Sequence, residues 1–232
     1  MSEPRIRIVK SVLEFFVLAV LAVMPAMLVN IDLGDAGVWK GEFTLTELAQ
    51  ELLLTGTALL FWTLAVKRPD LRGFTVLVAG FFTCALIREL DALFDQIQHG
   101  FWVYPALLVA MVSVTSAVVF NRATIARPMV LFLNTKAYFL MAIGLVTLLF
   151  FSRTIGSGNL LWSGLLGDAY SNDFKNALQE GIELYGYILI GYSAVLYSTL
   201  QLSQSHQVMA GAGEWQDYSR ATGAGRVFSP FS

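Results

Sequence analysis

The sequence predicts an all-α integral membrane protein: a bundle of about six transmembrane helices with both termini on the cytoplasmic side. Three observations carry this. Of 232 residues, 56% are hydrophobic and 14% charged, whereas soluble domains run near 25% charged. Six stretches approach the roughly 20 apolar residues that cross about 30 Å of hydrocarbon. Lys and Arg also alternate between rich and poor connections, as the positive-inside rule requires.

The spans are expected at about 8–31, 47–66, 73–95, 101–121, 128–152 and 180–203. The first has a charge-free run from Phe15 to Ile31, after Lys10 and Glu14. That run is too long for a signal-peptide core and no A-x-A cleavage site follows, so a retained helix is expected. Thr44 with Glu47 forms a capping box that starts the second span. Lys67 to Arg72 is a tight turn, which makes the second and third spans an antiparallel hairpin. The fourth is charge-free from Phe101 to Phe120, and the fifth contains only Lys136. The long loop before the sixth holds Leu160, Leu161, Trp162, Leu165 and Leu166, a patch expected to lie as a helix on the outer interface. Residues 1–204 thus form one transmembrane domain. Residues 205–232, rich in Gly, Ser and Ala, form a flexible cytoplasmic tail.

Arg5, Arg7, Lys10, Lys67, Arg68, Arg72, Arg122, Arg127, Arg220 and Arg226 fall on one side. Lys40, Arg88, Arg153 and Lys175 fall on the other. This sets both termini inside and suits a bacterial-type inner membrane. The single cysteine, Cys84, excludes an intrachain disulfide, and the two histidines, His99 and His206, exclude a site built from three. No phosphate-binding glycine loop and no nucleic-acid signature occurs. The partners implied are membrane lipids, with a membrane-protein partner or a second copy also compatible.

Most acidic residues lie on the outer side. The second and third spans have only about 15 uncharged residues each, roughly 22 Å at 1.5 Å per residue, so their outer ends carry charge into the leaflet. Glu51 lies as far before Lys67 as Arg88 lies after Arg72. Antiparallel neighbours place these two at one depth, and Glu51 is expected to form a structural pair with Arg88 or to lie within one turn of it. Arg88, Asp91, Asp95 and His99 recur at helical spacing and predict one stripe down one face. Glu180 and Glu183 begin the sixth span on the same outer side, with Tyr187 a turn further in.

These residues define the expected site. Glu51, Glu89, Asp91, Asp95, His99, Glu180 and Glu183 are candidate ligands for a cation, a divalent metal ion or protons, serving transport or sensing. Carboxylates crowded in a partly dry place do not all ionise without a counter-cation. The bland alternative is a solvated polar rim above the bilayer. A second functional reading is a metal-dependent hydrolase or transferase acting on a lipid-linked substrate, with His99 or Glu183 as general base. A third is an accessory subunit whose charge stripe docks a partner. The acidic face resembles that of membrane hydrolases such as the alkaline ceramidases. It lacks their late pair of histidines one turn apart, so neither their zinc chemistry nor any site residue carries over. Near the inner side, Lys136 either pairs with Glu14 or snorkels to the interface, the latter being the expectation.

Overall fold

The computed structural model describes residues 3–34, 44–157, 162, 164 and 171–222, with side chains as far as residue 203. Among the described residues every regular element is helical. Helix α1 spans Glu3–Leu33, α2 Leu45–Lys67 and α3 Arg72–Glu89. The short α4 covers Asp91–Asp95, and α5 covers Val103–Thr115, extended by a wide π turn over Ser116–Phe120. Next come α6 at Ala126–Leu133, α7 at Lys136–Val146 with a second π turn at Thr147–Phe151, and α8 at Ser152–Ile155. The last helix, α9, runs from Asn172 to Thr222. Among the described residues five stretches are long and apolar enough to cross a membrane: Pro4–Leu33, Leu45–Lys67, Pro69–Glu89, Val103–Phe120 and Lys136–Ile155. They mark the chain as an integral membrane protein.

The expected sixth span is part of α9, and it is not among those five. Its apolar character is diluted by Tyr185, Tyr187, Tyr192, Ser193, Tyr197 and Ser198. Its place in the bundle explains this. α9 packs on α1, α2 and α7, and Leu184, Tyr187, Ile188, Leu189, Ile190, Ala194 and Tyr197 are all buried. A helix wrapped by other helices meets little lipid and need not be uniformly apolar.

Three boundaries differ from the sequence expectation. The third span ends at Glu89 rather than 95, because Leu90 leaves helical geometry (φ −86°, ψ 20°) and α4 starts afresh. The fifth is not one helix over 128–152. The chain breaks at Asn134 and Thr135, where the Asn134 side chain donates to the Val130 carbonyl and the Thr135 hydroxyl caps α7 by accepting from the Tyr138 N–H. Lys136 therefore stands in the first turn of α7, not deep inside a span. α9 begins at Asn172 instead of 180 and continues past 205 as far as Thr222, helical backbone where a flexible tail was expected. Residues 205–222 offer many helix formers and no proline. Of the loop patch, Trp162 donates its indole N–H to the Ile155 carbonyl at 2.6 Å. Leu160, Leu161, Leu165 and Leu166 lie outside the described residues.

The hairpin of α2 and α3 forms as expected, and the capping box of Thr44 and Glu47 starts α2. Tyr197 of α9 meets Phe132 at 4.9 Å and Phe61 at 6.1 Å between ring centroids, with Phe74 and Phe82 completing an aromatic core. Gly144 of α7 sets the approach to α9, since a Cβ there would lie 2.8 Å from the Gly186 carbonyl oxygen. The Ser193 hydroxyl donates to the Ala137 carbonyl at 2.6 Å in the same seam. Close helix contact through small residues and a hydroxyl is the usual way to bind helices in lipid.

Candidate functional site

Three helix segments meet at one end of the bundle: the start of α2, the end of α3 and the third turn of α9. The start of α2 is fixed from outside. Asp32, at the end of α1 and 4% exposed, accepts from the N–H groups of Leu45 and Thr46 at 2.9 Å each and from the Thr46 hydroxyl at 2.6 Å. A carboxylate on these unpaired donors favours the helix start twice, by hydrogen bonding and through the helix dipole. Glu47, Gln50 and Glu51 follow within the first two turns of α2.

Between these segments lies a cavity of about 290 Å³. Glu47, Glu51, Glu89, Asp91 and Glu180 line it, with Gln50 as its amide. The Gln50 side chain donates to the Glu180 carboxylate at 2.9 Å and to the Glu180 carbonyl at 3.3 Å, tying α2 to α9. The Tyr187 hydroxyl donates to Glu89 at 3.0 Å, tying α9 to α3. Neutral donors thus hold Glu180 and share Glu89 with its neighbour Arg88, and among the described residues no Lys or Arg lines the cavity.

Arg88 does not pair with Glu51. It forms an ion pair with its neighbour Glu89. Counting residues from the shared turn fixes depth but not direction around the helix axis. Arg88 faces a second, smaller cavity of about 140 Å³, lined also by Arg153, Glu183 and Tyr187, whereas Glu51 faces the larger one. Glu89 borders both.

Glu183, 7% exposed, belongs to that second cavity. It accepts from Gln179 at 3.0 Å and Ser152 at 3.3 Å, with Arg153 at 3.8 Å. The expected stripe of Arg88, Asp91, Asp95 and His99 is interrupted by the break at Leu90. Asp95 and His99 pair with each other at 2.8 Å on a turn, His99 being 98% exposed, and neither lines a cavity with the other acids. The Gly100 N–H, then the His99 ring, hold the Asp95 carboxyl below the usual aspartate range. Among the described residues no three His, Cys, Asp or Glu side chains are gathered tightly enough to cage a bare metal ion.

Of the expected ligands, the structure brings together Glu51, Glu89, Asp91 and Glu180, and sets apart Glu183, Asp95 and His99. Glu47 and Gln50 join the site, and Asp32 anchors it. Glu47 and Gln50 are signalled by polar residues at helical spacing at the start of an otherwise apolar span, whereas Asp32, at the end of α1, carries no such pattern. No family profile matches the chain, and no curated protein or solved structure shows significant similarity to it.

Proposed function

We propose that this is a six-span inner-membrane protein, with both termini cytoplasmic, that senses a hydrated cation at its outer face. The carrying observation is the cavity among α2, α3 and α9, lined by five carboxylates and an amide. Oxygen donors alone suit a hard cation such as Mg²⁺ or Ca²⁺. At about 290 Å³ the cavity has room for an ion that keeps part of its water shell. The distribution of Lys and Arg supports the orientation.

Sensing fits better than conduction. Below the cavity the bundle is filled by Leu54, Phe61, Phe82, Leu184 and Tyr197, each 2% exposed or less. A bound cation instead draws three helices together by cancelling the repulsion among their acids. Protons do the same less specifically, so acid competes with the ion. The place of His99 on an exposed turn leaves the hydrolase reading with Glu183 as its candidate general base.

The test is the thermal midpoint of the detergent-purified protein titrated with Mg²⁺, Ca²⁺, Mn²⁺ and Na⁺. Binding to the folded state stabilises by RT ln(1 + [L]/Kd), so the midpoint should rise with the concentration of a divalent ion. The rise should shrink in Glu51→Gln, Glu89→Gln and Glu180→Gln. A flat response to every ion, or one unchanged in all three variants, refutes the proposal.

A further inference from the structure

The opposite end of the bundle carries a different opening. α1 is almost wholly exposed along its length and leans on α9 and α2, while α7 packs chiefly on α9. The two helices flank α9 and leave a crevice of about 610 Å³. This lies within the roughly 300–1,000 Å³ of pockets that hold small ligands. Its walls are apolar, with Leu13 and Val17 on α1 and Leu196 and Leu200 on α9. Its rim is basic, with Lys10 on α1 and Lys136 in the first turn of α7.

Glu14 holds Lys136 across this crevice at 3.6 Å, and Lys136 remains 77% exposed. Arg7, Lys10, Glu14 and Val17 recur at helical spacing, so Arg7 continues the basic edge on the same face of α1. Toward the other membrane face the groove beside α1 and α9, about 580 Å³, is lined by such residues as Pro25, Val29, Phe151 and Tyr185. Among the described residues it has no charged side chain in its lining. The basic rim thus marks one level only, where lipid headgroups and lysine ammonium groups meet.

We infer that this crevice binds an anionic phospholipid, its phosphate between Lys10 and Lys136 and one acyl chain along Leu13, Val17, Leu196 and Leu200. The inference does not rest on the cation site. Apolar walls accept a chain of any lipid, so selectivity comes from the two lysines, and Glu14 limits it.

The experiment is native mass spectrometry of the full chain in detergent, mixed with equal amounts of phosphatidylglycerol and phosphatidylcholine. The wild type should retain phosphatidylglycerol preferentially. Each lysine-to-glutamine change, Lys10→Gln or Lys136→Gln, should lower that preference roughly fivefold. Lys10→Arg with Lys136→Arg should restore it, which separates lost charge from lost folding. Glu14→Gln should strengthen it. Equal retention of both lipids by the wild type, or a preference untouched in the double glutamine variant, overturns the inference. So does a lipid-free dimer, which would give the crevice to a second copy.

Discussion

The two ends of the bundle, joined by α9, deal with charge in opposite ways. At the level of Glu180 the charges are carboxylates on short side chains, facing inward and held by Gln50 and Tyr187. At the level of Leu200 they are lysines on the rim, and Arg68 donates to the Gln201 carbonyl while pairing with Asp70. A long basic side chain lays its stem on apolar surface and reaches water with its head. A carboxylate cannot reach as far, so its charge stays where its helix puts it. The basic end is therefore settled by geometry, and the acidic end depends on what enters the cavity.

Asp32 provides the sharpest break of this comparison, because it is an acid already supplied with donors. Asp32→Ala leaves two N–H groups and a hydroxyl of α2 without their acceptor and should cost about 2–4 kcal/mol. The check is a lowered midpoint in thermal or denaturant unfolding. Glu51→Gln in cation-free buffer should act in the other direction. It relieves repulsion from Glu47 and Glu89 and should stabilise by up to roughly 1 kcal/mol. If both variants destabilise alike, the cavity acids are already satisfied and the contrast fails.

Tyr187→Phe should have a smaller effect. It removes the hydroxyl that steadies Glu89, at a cost of about 1 kcal/mol. Glu89 then gains freedom to turn toward Arg88 alone. Divalent-ion affinity should weaken roughly fivefold, read from the same midpoint titration. Unchanged affinity with lowered stability would confine Tyr187 to packing.

How much of this was legible beforehand depended on the kind of information needed. Membrane class, the α2–α3 hairpin and the Thr44–Glu47 cap follow from composition and local spacing, which a linear sequence carries directly. The level at which acids gather also follows, because depth is counted along a helix. The facing of Arg88 was not legible, since one residue rotates a helix by about 100° and only tertiary packing decides which side is inward. Nor were the breaks at Leu90 and Asn134, where neither proline nor glycine marks the change and the neighbouring polar residues (Glu89 and Asp91, Thr135 and Lys136) are equally compatible with a continuing helix. Asp32 and Gln50 were hidden for a related reason: each acts on a partner far along the chain, and a lone polar residue at a span end reads as a solvated one.

The Asp95–His99 pair should give the smallest effect, and it tests where the site ends. Asp95 has a lowered pKa in the folded protein, caused first by the Gly100 N–H and then by His99. A lowered folded value means that the stabilisation is fully present above the ordinary aspartate value of 3.8 and is lost as pH falls through the depressed one. Asp95→Asn should therefore lower the midpoint slightly at neutral pH, and its difference from the wild type should vanish in acid. His99→Ala should leave the divalent-ion response intact, because an imidazole on an exposed turn is not in the cavity. A His99→Ala protein that no longer responds to ions would mean that α4 folds back over the cavity when the cation binds. The site would then close on binding, with Asp95 and His99 arriving as its last ligands.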